Sequence, residues 1–432
     1  MKKKIAYLLC LLLFVSSCKT TGGDGFLDGD GFSDVGPELS SVFDRLGKQS
    51  IPTNQGTTIQ IAPKLDVIIP VFDPGIPESP ADYEKKGIWP ELRRAEATKF
   101  ALMMKRALES TGAFGAVRVA PDKKSTGDLY VLGKIDESNG EDVEIDIKVV
   151  DISGKTWVDS SFDHRVLEQF HNNLRNEGKD PYGPIFDEAA KYIVEKLKDR
   201  PAKELATLRS ITDIRFAASF SESKFSKYLG KKEGSFGSEG FFGFGGSHIT
   251  VVSMPADDDP NFTKTKAIRV RDQLFIDNLQ THYQKFESKM RESYVVWQEQ
   301  SLQEAKAARE AETKAAGQAA AGVLVIGLAI AAAIAGNNNN NYNPTPAIAI
   351  TAGAIGGGAL LSESFKTSKE AKVYRDALSE LGQSVDLELA PQVIEFGKKT
   401  IELTGDAAEQ FAQWRNFLKQ IYQAQATPEV RL

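Results

Sequence analysis

Cysteine and histidine are the scarcest chemistry-bearing residues of this 432-residue chain, at two and four. Cys10 and Cys18 both fall within the first eighteen residues, so the rest of the chain has no thiol for a disulfide, a nucleophile or a cysteine metal site. The histidines, His164, His171, His248 and His282, are scattered, and none has a partner at the spacing by which a helix presents two metal ligands. No Asp/Asn loop has the calcium spacing, and Asp257-Asp258-Asp259 before Pro260 reads as a solvated loop. Gly243 to Ser247 lacks the lysine of a phosphate loop. Ser247 and His248 are sequence neighbours, which is not how a nucleophile and its base are arranged, and no Gly-x-Ser-x-Gly elbow occurs. Catalytic, cofactor-binding and metal residues are therefore assigned to no position, and an enzyme is not expected. The net charge of −6 carries no Lys/Arg cluster of the kind that grips nucleic acid. One further absence is local: Ala315 to Ser362, 48 residues, contains no charge at all.

The amino terminus holds the sharpest positive signal. Lys2-Lys3-Lys4 precede an apolar run of 11 residues, Ile5 to Val15, and two serines follow. The run is too short to span a bilayer, which takes about 20 apolar residues. A basic start, an apolar middle and small residues at the end describe a secretory leader. Val15-Ser16-Ser17-Cys18 resembles the lipobox of bacterial lipoproteins. The resemblance implies cleavage after residue 17, lipid on the Cys18 thiol, and loss of Cys10 with the leader. Lys19 stands where such lipoproteins carry Asp when they are retained at the inner membrane. The expected location is the periplasmic face of the outer membrane.

Residues 18–50 are rich in Gly, Asp and Ser and read as a flexible lipidated tether. The mature length of about 415 residues implies two or three domains. Residues 65–200 carry the first. Leu65 to Phe72 is nearly continuous apolar sequence, as in a buried strand. Phe100, Met103, Met104, Ala107, Leu108 and Thr111 form one helical face that stops at Gly112. Strands follow at Ala116–Val119 and Asp128–Ile135. Val143, Ile145, Ile147 and Val149 then alternate with polar residues, giving a strand with one wet face. A return strand at Lys155–Phe162 and a helix at Ile185–Leu197 complete an α+β sandwich on a mixed sheet. With its "TGAFGAVRVAP" and "DLYVLGKI" segments, this order resembles the periplasmic module shared by the curli secretion lipoprotein and the amino-terminal domain of the Tol-system propeller protein. The resemblance covers Leu65 to Leu197. The curli family's membrane-spanning β-hairpins have no counterpart in this sequence, so it does not imply a curli-type pore.

Residues 201–262 are mixed: Leu205, Leu208 and Ile211 suggest a helix, and Gly230 to Gly246 form a Gly/Phe loop. Phe236, Phe241, Phe242 and Phe244 in that loop either tuck into the body or rest on a membrane or partner. Residues 263–314 predict one long amphipathic helix, with Ile268, Leu274, Phe275, Leu279, Tyr283, Phe286, Met290, Tyr294 and Trp297 against other helices. Beyond Trp297 the helix reads as solvated.

The apolar hairpin occupies residues 315–361, two Ala/Gly-rich halves about 33 and 27 Å long as helices, near the roughly 30 Å of a bilayer core. A polar Asn337–Asn343 turn separates the halves. Gly322 and Gly327 on one side, with Gly353, Gly356, Gly357 and Gly358 on the other, let two backbones approach closely. The pattern resembles the glycine-zipper hairpins of some outer-membrane lipoproteins. Membrane insertion, burial as a hairpin inside a soluble oligomer, and a low-complexity insert all remain open.

Residues 362–432 read as amphipathic helices. Val373, Ala377, Leu381 and Val385 recur every four residues, and Phe411, Trp414, Leu418, Ile421 and Tyr422 mark a last helix. The expectation is a long helix up, an apolar hairpin and a helix down, with the two arms paired.

The chain thus reads as a lipid-anchored structural or transport-assembly component. Its expected partners are the membrane, through acylated Cys18 and residues 315–361, and either its own copies or another envelope protein. A tethered periplasmic binding or scaffold module, with the hairpin as a packing element, is the alternative.

Overall fold

The computed structural model describes residues 50–52, 58–60, 63–85, 88–233, 247–320, 371–384, 386–396 and 399–424. The chain divides into Met1–Ile61 and Ala62–Leu432. In the first unit β1 (Ser50–Pro52) and β2 (Thr58–Gln60) pair antiparallel, with Ile51 opposite Ile59.

The second unit is α+β, a five-stranded mixed sheet followed by a long helical region. Its strands are β3 (Val67–Pro70), β4 (Val117–Ala120), β5 (Leu129–Ser138), β6 (Asp142–Asp151) and β7 (Thr156–Arg165). Their order across the sheet is β4-β3-β5-β6-β7, with β3 parallel to both neighbours and the rest antiparallel. Val67 to Pro70 is buried throughout because β3 is central and covered on both faces. On β6 the expected alternation holds: Val143, Ile145, Ile147 and Val149 are buried, while Lys148 is exposed.

Helix α1 (Ala81–Lys85) is a single turn before α2 (Pro90–Ser110), where Pro90 at the first position presets the backbone for a helix. Phe100, Met103, Met104, Ala107 and Leu108 face the core as their spacing predicts. However, Arg93, Glu96, Thr98 and Lys99 on the other sides are buried too. The sheet, α3 (Gly183–Lys198), the long helix α6 (Pro260–Ala320) and α7 (Lys372–Leu381) enclose α2 from all sides. Helices α4 (Ala202–Phe220) and α5 (Glu222–Phe225) lead to a hairpin of β8 (Leu229–Glu233) and β9 (Ser247–Val251). Gly230 to Glu233, expected in a loop, are therefore in a strand. The remainder of that loop, with Phe236, Phe241, Phe242 and Phe244, lies outside the described residues.

Helix α6 begins where Asp259 Oδ1 accepts from the Asn261 and Phe262 amides, so the last acid of the Asp257–Asp259 run is a helix cap. Of the apolar positions read along it, Leu274 is the exception, at 56 % exposed; the others are buried. The expectation that α6 is solvated beyond Trp297 is corrected: Gln298, Ser301, Leu302 and Ala305 are buried. Two further turns are covered because the β5–β6 turn and the loop after β7 reach them.

The carboxy-terminal region differs most from expectation. Helix α7 stops at Gly382, and β10 (Gln392–Phe396) and β11 (Lys399–Leu403) form a hairpin before α8 (Ala407–Ala424). Residues every four along a helix drift about 40° per step, so they share no face for long. Val373 is accordingly 73 % exposed, and α7 buries Leu378 instead. Gly382 is needed where it stands, because a Cβ there would lie 1.7 Å from the Glu91 carbonyl oxygen at the start of α2. Helix α8 is capped reciprocally: Asp406 Oδ1 accepts from the Glu409 amide, and Glu409 Oε2 accepts from the Asp406 amide. Its Phe411, Trp414, Leu418, Ile421 and Tyr422 are all buried, as read. Both α7 and α8 pack on α6, pairing the arms on either side of the uncharged stretch. One apolar cluster runs from Leu65 to Tyr422.

Candidate functional site

The polar groups of this unit gather along the inner side of α6, where it crosses α2 and the sheet. Arg93, Glu96 and Lys99 recur every three residues on α2 as a polar stripe. In the structure α6 covers it. Glu96 Oε1 accepts from Ser138 Oγ at 2.6 Å and from Tyr294 Oη at 2.8 Å, and Arg93 Nε stands 3.8 Å from Oε2. Burial pushes the Glu96 carboxyl up to about 7, against the opposing pull of Arg93, the two hydroxyls and Lys99. Lys99 Nζ pairs with Asp180 at 2.6 Å and lies over the Tyr294 ring. Tyr182 Oη accepts from the Gly140 amide at 2.7 Å, and burial raises the pKa of this phenol and of Tyr294.

A second polar knot sits at the other end of the sheet. Asp128, at the start of β5, accepts from Thr212 Oγ1 on α4 at 2.6 Å and from the Asp66 amide at 2.9 Å. Asp272 on α6 accepts from Arg415 on α8 at 3.0 Å. Burial raises both carboxyls, with hydrogen bonds or Arg415 opposing it. Between the knots, Gln280 of α6 serves the edge strand β4. Its Oε1 accepts from the Val119 amide at 3.0 Å and its Nε2 donates to the Val119 carbonyl at 2.7 Å. This side-chain amide occupies the place of a neighbouring strand's peptide. Arg118 and Asp277 add a two-pronged ion pair beside it.

Where α6 leaves the body, Gly140 in the β5–β6 turn has φ +91°, and a Cβ there would meet Ser301 Cβ at 2.5 Å. That contact lets the helix backbone lie against the turn. Arg309 pairs with Glu141 at 2.5 Å, and Lys306 with Glu168. Glu168 belongs to the loop between β7 and α3, in which Leu167 and Leu174 are 73 % and 87 % exposed.

Glu96, Asp128 and Asp272 are closed off from solvent. Glu96 links α2 to β5 and α6, Asp128 links the start of β5 to α4, and Asp272 links α6 to α8. The four histidines lie on β7, the following loop, β9 and α6 and do not meet. Burial lowers the pKa of His164, His171 and His282. Among the described residues no group of three His, Cys, Asp or Glu is placed to hold a metal ion. Nor is any helix among them long and apolar enough to cross a membrane. Cys18 and the hairpin glycines Gly322, Gly327, Gly353, Gly356, Gly357 and Gly358 lie outside the described residues. Only the first six residues of the uncharged stretch, 315–320, are described, as the last turns of α6. Sequence reasoning missed the Glu96 seam. No local signal separates a polar stripe facing water from one facing a helix nearly 200 residues away. No protein family, no curated protein and no solved structure matches this chain.

Proposed function

We propose that this chain is a lipid-anchored structural or transport-assembly component of the bacterial envelope, acylated at Cys18 and held at the periplasmic face of the outer membrane. Its body presents α6 as a rigid arm that leads the uncharged segment 315–361 into the membrane, together with other copies of the chain. One observation carries this reading: α6 is continuous from Pro260 to Ala320. It is tied to the body as far as Arg309 and enters the uncharged stretch without a break. A segment that followed a loose linker would have no such mechanical connection.

The test separates the two attachments. An alkyne-palmitate label should appear on the wild-type chain and vanish in Cys18→Ala. The unlabelled Cys18→Ala chain, made behind a leader whose cleavage does not need the cysteine, should still pellet with membranes after an alkaline carbonate wash, and its detergent-extracted particle should exceed monomer size. Release of Cys18→Ala into the soluble fraction would sink the inserting arm and leave the scaffold reading, in which 315–361 is a packing element.

A further inference from the structure

We infer that β7 is a surface by which two copies of this chain join, its free edge pairing antiparallel with β7 of a second copy about a two-fold axis at Phe162. The sheet then continues across the axis, with five strands from each copy. The inference goes beyond the membrane reading and needs no bilayer. Antiparallel pairing sends the two α6 arms in opposite directions. One arm of a pair can therefore face a given bilayer, and arms that share a bilayer belong to different pairs.

The two edges of the sheet differ. Gln280 occupies the β4 edge, whereas β7, ten residues long, borders no further strand. Val166 donates to the Glu141 carbonyl at 2.8 Å, which fixes the phase of the β6–β7 ladder. Backbone groups alternate in direction along a strand. Those of Ser160, Phe162 and His164 thus face β6, and those of Asp159, Ser161, Asp163 and Arg165 face away. Among the described residues nothing bonds these outward amides and carbonyls. Edges that must stay alone are blunted by proline, by bulges or by charges turned inward. β7 has no proline, its register shift falls before Asp159, and its inward side holds no acid, lysine or arginine.

Charge names the occupant. Asp159, Ser161, Asp163 and Arg165 are all exposed on the open face. The axis at Phe162 is the one position that matches these four with one another. It sets Asp159 opposite Arg165 of the second copy and Ser161 opposite its Asp163. Each charge of the first pair already has a partner on its own β6. Lys148 lies 3.2 Å from Asp159, and Asp142 takes both prongs of Arg165 at 2.6 and 3.2 Å. Pairing therefore completes an alternating row: Lys148, Asp159, then Arg165 and Asp142 of the second copy. The two-fold axis makes that row twice. Opposite charges directly across a ladder stabilise it and like charges weaken it. Moving the axis to Ser161 would set Asp159 against Asp163, and moving it to Asp163 would set that residue against itself. In the chosen register Ser161, whose hydroxyl bonds Asp146, separates the acids, so no carboxylate directly faces another across the seam. On the covered face Phe162 meets Phe162, and Val158 meets Val166.

The test is residue-resolved hydrogen exchange on the full chain in detergent, first concentrated and then strongly diluted. The amides of Ser160, Phe162 and His164, which face β6, report whether the sheet is folded. In the wild type the amides of Asp159, Ser161, Asp163 and Arg165 should exchange about tenfold or more slowly in the concentrated sample than in the diluted one. Asp159→Arg and Arg165→Asp should each lose that slowing, because two like charges then face each other at both ends of the seam. An equal mixture of the two variants should regain it, since a mixed pair has opposite charges at both ends. Three results overturn the proposal: outward amides with one rate at every concentration, slowing that survives both single substitutions, or a mixture that behaves as its components do. Where a variant loses protection at the β6-facing amides it has unfolded, and the wild-type comparison decides alone. Contacts among the 315–361 segments do not cover these amides, so the carbonate wash bears on the inserting arm and this measurement on β7.

Discussion

Glu96 is the residue at which the fold and solution pH meet. Its carboxyl titrates near 7 in the native chain, against an ordinary value of 4.5, because burial disfavours the charged form. A raised acid is stabilising in its protonated state. The contribution is complete below pH 4.5 and is lost as pH climbs to about 7, above which both states have released the proton. The difference of about 2.5 pH units sets an upper size of roughly 3 kcal/mol at 1.36 kcal/mol per unit. Glu96→Gln keeps a neutral acceptor for Ser138 and Tyr294 and cannot ionise. Urea denaturation at pH 5 and pH 8 should show the variant close to wild type at the lower pH. At the higher pH it should gain up to about 3 kcal/mol over wild type. Asp128 and Asp272 are raised as well, so the wild-type slope has other contributors, and the informative quantity is the difference between the two proteins. Equal stabilities at both pH values would remove Glu96 from the seam's proton balance.

At the level of elements, α6 does two things for the sheet: it covers α2 and it closes the β4 edge. An uncovered strand edge is a template for pairing with other chains. Gln280→Leu would leave the Val119 amide and carbonyl without their side-chain partner, at a cost of about 1–3 kcal/mol for each group that stays dry. Faster hydrogen exchange at Val119 and a lower urea midpoint are expected, with unchanged exchange on β6. What was legible here followed periodicity. The alternation of Val143 to Val149 predicted a half-wet strand, and the spacing from Ile268 to Trp297 predicted the buried line of α6, apart from Leu274. Two kinds of feature escaped. Spacing by four suggested a face through Val373 that the helix cannot sustain, and the β10–β11 hairpin was merged into a helix because its short strands lack a long pattern. The burial of Arg93, Glu96 and Lys99 on α2 has no local signal, because a stripe of Arg, Glu and Lys has the same composition whether water or Tyr294 lies opposite. Cys18, the proposed lipidation site, carries the sharpest motif in the sequence, and it lies outside the described residues.

Taken whole, the Ala62–Leu432 unit shares one apolar cluster from Leu65 to Tyr422, so its segments depend on one another. A fragment limited to residues 62–200 would uncover the Arg93–Glu96–Lys99 side of α2 and the β4 edge together. It should show helix and strand by far-ultraviolet circular dichroism, a weak near-ultraviolet signal and a broad urea transition, whereas the full unit should unfold in one sharp step. A sharp, cooperative melt of the fragment would instead establish residues 65–200 as a self-standing module. The course of α6 also has a mechanical meaning. It runs from the Asp272–Arg415 knot, beside the start of β5, to Gly140 at the far end of that strand, so Leu65 and Arg309 mark opposite ends of the body. Tension applied between Leu65 and Arg309 would act along the helix axis. Gln280, Tyr294, Ser301 and Arg309 would then be loaded together in shear rather than peeled off one after another. Such an arrangement would resist pulling along the line from Leu65 to Arg309 and yield more readily to a sideways pull on α6.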